Sequence, residues 1–569
     1  MYTKNFIIAL ACIFLLLFLK SVWDNQPSRS SKIAYLWLLG LAIFSSFFIY
    51  TVVIPKGGLM GWDEAEHSLR GLILAKDVRS GQWLNVWKDT NAQTLWGPGY
   101  AWLLAFVYLI WGDSFIVASS LSLFFFASTP FLVYWLGLKV DDKRGWLTGL
   151  IAATLTVSNP FAIQLSALPM IESGLAFMLV LALLVRPAVT GSQNRFRFIL
   201  SSLITAFIFL TKYNYGLMLV VSMIITDVCQ YLYYQNKTNT KNNFKKSMFY
   251  GYSPFLVVVF AWFALGPSEK IKDFFFFMQN VPRIQSSLMS EYRLLYYPKL
   301  FISEYAVFPG VLALVIPFLL LGLMTSFQGH LYRISIFFVL SFIALTLHPL
   351  KDPRYFVPIL PFLWLIVATG LISLLEWVSL KTQGFAYRMT VSAVMAFFLL
   401  VVPLNVFSNL KPKTPYLYDE LLSRNQAAAD TIKTVLVHVH EEIIRGRKLA
   451  VWGTFAEISP ALIKWTLLND KRTSDKIGNL IFDPPNEAGK DIGEELAAWF
   501  QEHSVDSVLT IYMSHDSLFF HHDYQTFNAW KLTYIQLFEE SSQQYGWRAY
   551  EEESFVDAGI VMRIYRSRV

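Results

Sequence analysis

Cysteine is nearly missing from this chain. Two occur in 569 residues, Cys12 and Cys229, both inside apolar segments. That excludes a disulfide framework and a cysteine metal centre. There is no glycine-rich phosphate loop, so no dinucleotide role is expected. No internal repeat or low-complexity tract interrupts the sequence. Charge is scarce as well, at 15% of residues. The net charge of +7 does not point to nucleic acid. The basic residues sit in short loops between apolar runs, as membrane topology requires.

What is abundant is apolar. Hydrophobic residues make up 55% of the chain and aromatics 17%, with a mean hydropathy of +0.44. A soluble chain is roughly 45–50% apolar, and a helix crossing a bilayer needs about 20 apolar residues in a row. Such runs lie near 5–20, 33–54, 115–138, 146–166, 173–186, 196–211, 214–234, 248–266, 305–325, 333–347, 356–376 and 389–409. They predict a polytopic α-helical membrane protein with about 12 transmembrane helices. The first run has no small-residue cleavage site after it and reads as a retained helix rather than a signal peptide. Pro98 to Trp111 is too short to span and reads as interfacial or re-entrant.

The charges orient these helices. Lys139, Lys143 and Arg144 share one loop, and Arg186, Arg195 and Arg197 another. Lys237, Lys241, Lys245 and Lys246 crowd a third, while Lys381 and Arg388 flank a fourth. With Pro98–Trp111 not crossing, all four fall on one side with Lys20, Arg29 and Lys32, and the positive-inside rule makes that side cytoplasmic. The opposite face then carries the 55–114 loop, the Leu168–Ser173 turn, the 267–304 loop, the His348–Tyr355 turn and the tail from about Lys411. Three regions follow: 1–32, an extra membrane helix with a cytoplasmic linker; 33–410, a membrane domain; and 411–569, a small extracytoplasmic α/β domain. In the tail, Leu449–Gly453, Val505–Met513 and Gly559–Tyr565 read as strands. Tyr418–Arg445 and Ile492–His503 read as helices.

The residues able to carry chemistry gather on the outer face. Asp63 and Glu64 open the first polar loop, and carboxylates at a bilayer surface are costly to keep. Asp63 with Glu66 three residues on has the spacing of a capping box, and Leu69, Leu72, Ile73 and Lys76 continue an amphipathic stripe that reads as interfacial. The catalytic reading makes Asp63 a general base toward an acceptor hydroxyl. Glu64 then shapes the site or raises its neighbour's pKa by like-charge repulsion. Glu172 begins an apolar helix, either as a favourable N-terminal charge or as a second carboxylate opposite Asp63. Lys212, between two apolar runs, either snorkels or holds a phosphate as a point charge. His348, Lys351, Arg354 and Tyr355 share one turn before an apolar helix. Arg354 near a helix start offers a guanidinium fork beside free backbone donors. Metal use is left open: Asp63 and Glu172 offer two carboxylates to a divalent ion, and nothing in the pattern requires one.

Two carboxylate sites and two cationic sites on one membrane face suit a lipid-linked phosphate leaving group and a hydroxyl or amine nucleophile. At these residues the chain resembles the GT-C superfamily of membrane glycosyltransferases, closest to the protein O-mannosyltransferases and the lipid A aminoarabinose transferases. The resemblance covers roughly 33–410. It rests on Trp62-Asp63-Glu64, Trp96-Gly97-Pro98-Gly99-Tyr100, Met170-Ile171-Glu172-Ser173, Thr211-Lys212 and Arg354-Tyr355-Phe356-Val357-Pro358-Ile359-Leu360-Pro361. The chain departs from the family pattern in having Trp96-Gly97 where adjacent prolines are usual, and Glu172 where aspartate is common. The resemblance implies a polyprenyl-phosphate-linked sugar donor and a glycan, lipid or protein acceptor. It also implies Asp63 as base or acceptor-orienting group, and Lys212 and Arg354 as phosphate holders. The rival from another class is a transporter or flippase of a lipid-linked or anionic substrate, with polar groups along a mid-membrane path and interrupted helices. A second rival is a non-catalytic assembly protein whose outer tail binds a partner.

Overall fold

The computed structural model describes residues 27–53, 62–93, 96–140, 144–188, 194–234, 240–266, 270–272, 296–300, 309–325, 331–348, 352–381, 392–394, 396–403, 426–452, 459–470, 472–482, 499–513, 535, 538, 547–555 and 560–567. The expected first helix at 5–20 lies outside them, as do Lys351 and most of the 267–304 loop. The chain divides into two compact units. One holds residues 1–55, 74–107 and 116–411; the other holds 56–73, 108–115 and 412–569.

The first unit is helical. Its helices are α1 (Pro27–Phe48), the end of α2 (Trp62–Arg79), α3 (Trp83–Asn91), α4 (Gly99–Trp111), α5 (Phe115–Leu138), α6 (Gly145–Val157) and α7 (Pro160–Ser166). There follow α8 (Ile171–Val185), α9 (Arg195–Thr211), α10 (Tyr213–Tyr234), α11 (Thr240–Ala264), α12 (Pro309–Thr325), α13 (Leu331–Leu347) and α14 (Leu360–Lys381). Among the described residues, five helices are long and apolar enough to cross a membrane, or six if α6 and α7 form one bent span. The chain is an integral membrane protein. The expected run 146–166 is not one straight helix. It bends by 61° between α6 and α7. Pro160 has no N–H to donate and pushes Asn159 into an extended conformation. Asn159 then caps the new helix, its Oδ1 accepting from the Ala162 N–H at 2.9 Å.

The cations expected to orient the chain also close helix ends. Lys139 Nζ donates to Leu184 O at 2.7 Å, Arg197 Nε to Val185 O at 3.1 Å and Arg333 Nη1 to Arg186 O at 3.1 Å. Three cations thus satisfy the last carbonyls of α8, where the helix dipole favours positive charge. Arg186 itself pairs with Asp227 of α10 at 2.5 Å.

The second unit is built on a five-stranded sheet of β1 (Leu449–Trp452), β2 (Leu480–Phe482), β3 (Ser507–Met513), β4 (Trp547–Phe555) and β5 (Ile560–Ser567). Their order is β2-β1-β3-β5-β4. β1 runs parallel to β2 and β3, while β5 is antiparallel to both β3 and β4. Side chains alternate faces along a strand. Leu449, Val451, Leu509, Ile511, Met562 and Ile564 enter one core, and Ala450, Trp452, Val508 and Tyr565 the other. Burial on both faces explains why β1 reads as an unbroken apolar run. α15 (Gln426–Ile444) and α16 (Pro460–Asn469) cover the first face, with Ile432, Val435, Val439 and Ile443 of α15 at helical spacing. Two strands, β2 and β4, and helix α16 were not foreseen in the sequence.

The start of α2 belongs to this second core. Ala65 and Leu69 are buried in it, with Ile73 packed alongside. The stripe expected to lie on the membrane interface is therefore covered by the C-terminal sheet and α15. The expected capping box is also absent. The helix starts at Trp62, which puts Asp63 and Glu64 in its first turn. Glu66 reaches forward to Arg70 at 2.6 Å instead of back.

Candidate active site

Four of the sequence segments singled out above meet in the first unit. The first is the end of α9. Thr211 is its last residue, and Lys212 breaks the helix with φ −155 and ψ 107 before α10 begins at Tyr213. The second is the Trp96–Tyr100 segment, which lies directly against it. A Cβ on Gly97 would stand 2.1 Å from Leu210 O, and one on Gly99 would stand 2.5 Å from Thr211 Oγ1. Only glycine permits that approach.

The third segment supplies Glu172 in the first turn of α8, buried at 1% exposure. Its Oε1 accepts from Lys212 Nζ at 3.3 Å. The other oxygen, Oε2, has no hydrogen-bond partner. Lys212 is buried too, and its ammonium stands 4.2 Å from the Tyr355 ring centroid and 5.8 Å from that of Tyr215. Burying an ammonium demands a counter-charge, and Glu172 provides it while the aromatic faces add cation–π attraction. Tyr215 OH donates to the Tyr355 carbonyl, tying α10 to the fourth segment.

That segment is the turn before α14. The expected α-helix from Phe356 begins later, at Leu360, and Pro353–Ile359 is a 3₁₀ helix. Pro358 explains the change, since an interior proline removes an i→i−4 bond and clashes with the previous turn. Asp352 caps this 3₁₀ helix. Its Oδ1 accepts from the Arg354 N–H at 2.8 Å, and its Oδ2 accepts from Arg354 Nε at 2.9 Å and Nη2 at 2.7 Å. The free backbone donor expected beside Arg354 is thus already taken, because a carboxylate two residues earlier is the better-placed acceptor. One edge of the guanidinium is held, and Nη1 faces the Met170 sulfur at 4.0 Å. Tyr297 supports the turn from outside: its OH donates to Asp352 O at 3.3 Å and its ring stacks on Phe356 at 5.6 Å.

Glu172, Lys212, Arg354 and Tyr355 are therefore brought together. His348 is partly buried just beyond the end of α13. Asp63 and Glu64, both partly buried, belong to the second unit. No group of three or more His, Cys, Asp or Glu side chains suited to a metal occurs among the described residues.

Three contributors escaped sequence reasoning. Asp352 has no role in the sequence reading, although Asp-Pro before a helix is a recognisable cap signal. Tyr215 was one aromatic among many. Lys270 lies beyond α11, where burial lowers its pKa to about 8. It donates to Asn91 Oδ1 at 2.6 Å and rests 3.1 Å over the Trp262 ring. Trp262 in turn donates to the OH of Tyr213, the residue next to Lys212, at 3.1 Å.

No family model and no curated protein matches the sequence. Solved structures do match the fold. ArnT from Cupriavidus metallidurans bound to undecaprenyl phosphate superposes with a TM-score of 0.60 at 13% identity, over 92% of this chain and 97% of that one. Its apo state gives 0.58 over the same shares. The chain shares its fold with this ArnT. AglB, an archaeal oligosaccharyltransferase from Archaeoglobus fulgidus, in complex with an inhibitory peptide and a dolichol-phosphate, aligns over 83% of this chain and 69% of its own at a TM-score of 0.47 and 12% identity. The Lys212–Glu172 and Arg354–Asp352 pairs lie where α8, α9 and the 3₁₀ turn come together.

Proposed function

We propose that this protein transfers a sugar from a polyprenyl-phosphate donor to a hydroxyl or amine acceptor at the extracytoplasmic face of the membrane, by a single inverting displacement. The observation that carries the reading is the convergence of two buried or part-buried cations, Lys212 and Arg354, from segments far apart in sequence. Each is held by its own carboxylate, Glu172 or Asp352. A cation fixed before the ligand arrives stabilises charge developing on a leaving phosphate without reorganising. The likeness to ArnT, solved with undecaprenyl phosphate, supports the same class of donor here.

In this scheme the acceptor attacks the anomeric carbon. The bond from that carbon to the lipid phosphate breaks, and its electron pair stays on the phosphate oxygen. Lys212 and Arg354 take up the growing negative charge, with Tyr355 beside Lys212, and the sequence assigns Lys351 and His348 to the same phosphate side. Asp63 accepts or orients the acceptor proton, and Glu64 shapes its surroundings. Glu172 keeps Lys212 charged in a buried position and presents its second oxygen to the acceptor side.

One feature belongs to the transporter reading: the bent span at Asn159-Pro160. The two readings separate in a single experiment. Purified protein is heated with undecaprenyl phosphate or with undecaprenol, which lacks the phosphate. A ligand at 100 times its Kd stabilises by about 2.7 kcal/mol. The phosphate lipid is expected to raise the melting temperature of the wild type, and to do so weakly in Lys212→Ala and Arg354→Ala. Equal protection by undecaprenol rejects a phosphate site. Movement of an intact lipid-linked sugar across vesicles, without bond cleavage, favours the transporter.

A further inference from the structure

The first turn of α8 carries Glu172, but the residue before it, Met170, makes no side-chain cap. It is held by another helix. Ser122 lies in the middle of α5 and is fully buried. Its Oγ donates to the Met170 carbonyl at 3.0 Å and accepts from the Met170 N–H at 3.2 Å. The Tyr100 hydroxyl lies 2.8 Å away. A hydroxyl has one proton and two lone pairs. With its proton on Met170 O, Ser122 Oγ accepts from the Met170 N–H, which it shares with Leu168 O at 2.7 Å, and from Tyr100 as donor. All the capacity of Ser122 is spent on two distant segments.

This is not what a buried hydroxyl in a helix usually does. Ser and Thr there tend to bond their own carbonyl four residues back. Ser45, Ser120, Thr129 and Thr156 all do so in this chain. Ser122 instead clamps the turn whose other parts touch the cation site. The Met170 sulfur faces Arg354 Nη1, and Glu172, two residues on, holds Lys212. Tyr100 closes the Trp96–Tyr100 segment, whose glycines pack on Leu210 and Thr211.

We propose that Ser122 is a positioning residue of the donor site. Through Met170 it sets where Nη1 of Arg354 and the Glu172–Lys212 pair stand, and Tyr100 acts through it. The proposal rests on reading those cations as the donor-phosphate site. The test compares the wild type with Ser122→Ala, Tyr100→Phe, the double variant, and Ser120→Ala as a control on the same helix. Two quantities are read: melting temperature without ligand, and affinity for undecaprenyl phosphate at equal folded fraction.

Ser122→Ala should weaken that affinity roughly tenfold, in line with the loss of buried hydrogen bonds, and Ser120→Ala should leave it unchanged. Tyr100→Phe should weaken it less. Because Tyr100 acts through Ser122, the double variant should melt with Ser122→Ala, not at the sum of the two single losses. Additive melting losses, or wild-type affinity in a folded Ser122→Ala, overturn the proposal. If Ser122→Ala does not fold, Tyr100→Phe decides: it removes the bond that orients the Ser122 hydroxyl, so undiminished affinity there counts against the clamp. Should the wild type bind no undecaprenyl phosphate while the melting losses stay non-additive, the clamp stands and the donor reading alone falls.

Discussion

At the scale of single residues, the account turns on how charge is held. Arg354 has two of its nitrogens on one oxygen of Asp352. A lysine cannot make that fork, so Arg354→Lys is not conservative here. Donor affinity should fall about tenfold or more with little change in melting temperature, measured by titrating undecaprenyl phosphate. Asp63→Asn separates structure from catalysis, because asparagine keeps the size and polarity of this first-turn side chain and removes its charge and basicity. The catalytic reading predicts normal folding with transfer reduced roughly 10²-fold or more, the scale of general-base loss. Activity within a few-fold of wild type would pass the role to Glu64 or Glu172. A third residue reports on pH. Burial first, then a hydrogen bond with Asp89 and its charge, raise Asp77 from 3.8 to about 6. The folded state then binds more protons than the unfolded one between about pH 4 and 6, so stability falls as pH rises through that window. Asp77→Asn should flatten this part of the melting-temperature profile and leave the variant the more stable protein at pH 7. An unchanged slope would count against the pairing.

At the scale of elements, much was legible because one pattern dominates it. Long apolar runs became helices at nearly the expected places; Phe115–Leu138 matches to the residue. The segments quoted for the resemblance do converge, apart from Trp62-Asp63-Glu64, which falls in the other unit. What hid was local backbone chemistry inside apolar runs. Apolar content says nothing of a bend, so the break at Asn159-Pro160 was read through, although the dipeptide signals it. The same holds for the 3₁₀ turn at Pro353–Ile359. Ser122 was invisible for another reason: a serine in a membrane helix carries no sign of which carbonyl it will bond. Strand β2 has three residues, too few for a periodic signal. The glycine contact yields a prediction at this scale. Gly97→Ala would place a methyl against the Leu210 backbone, which has no side chain to move aside. Overpacking costs about 1–3 kcal/mol, so the variant should melt lower. It should also lose donor affinity, since Leu210 leads directly into Lys212. A Gly97→Ala protein with wild-type stability would show that the approach is looser than described.

At the scale of the whole molecule, the reading requires a sided protein. Impermeant labels at Ser192 and Thr240 should be reached only from the cytoplasmic face, and labels at Thr90 and Leu480 only from the other. Finding Thr90 and Thr240 on one side would undo the site. The central claim is that the chain moves a sugar off a polyprenyl phosphate. Its most direct test is to incubate the purified protein with labelled polyprenyl-phosphate sugars and a panel of glycan, lipid and peptide acceptors, beside Arg354→Ala and Lys212→Ala. The account predicts label on an acceptor with release of polyprenyl phosphate, strongly reduced in both variants, and none from nucleotide sugars. Transfer from a nucleotide sugar alone, or full activity in both variants, would contradict it.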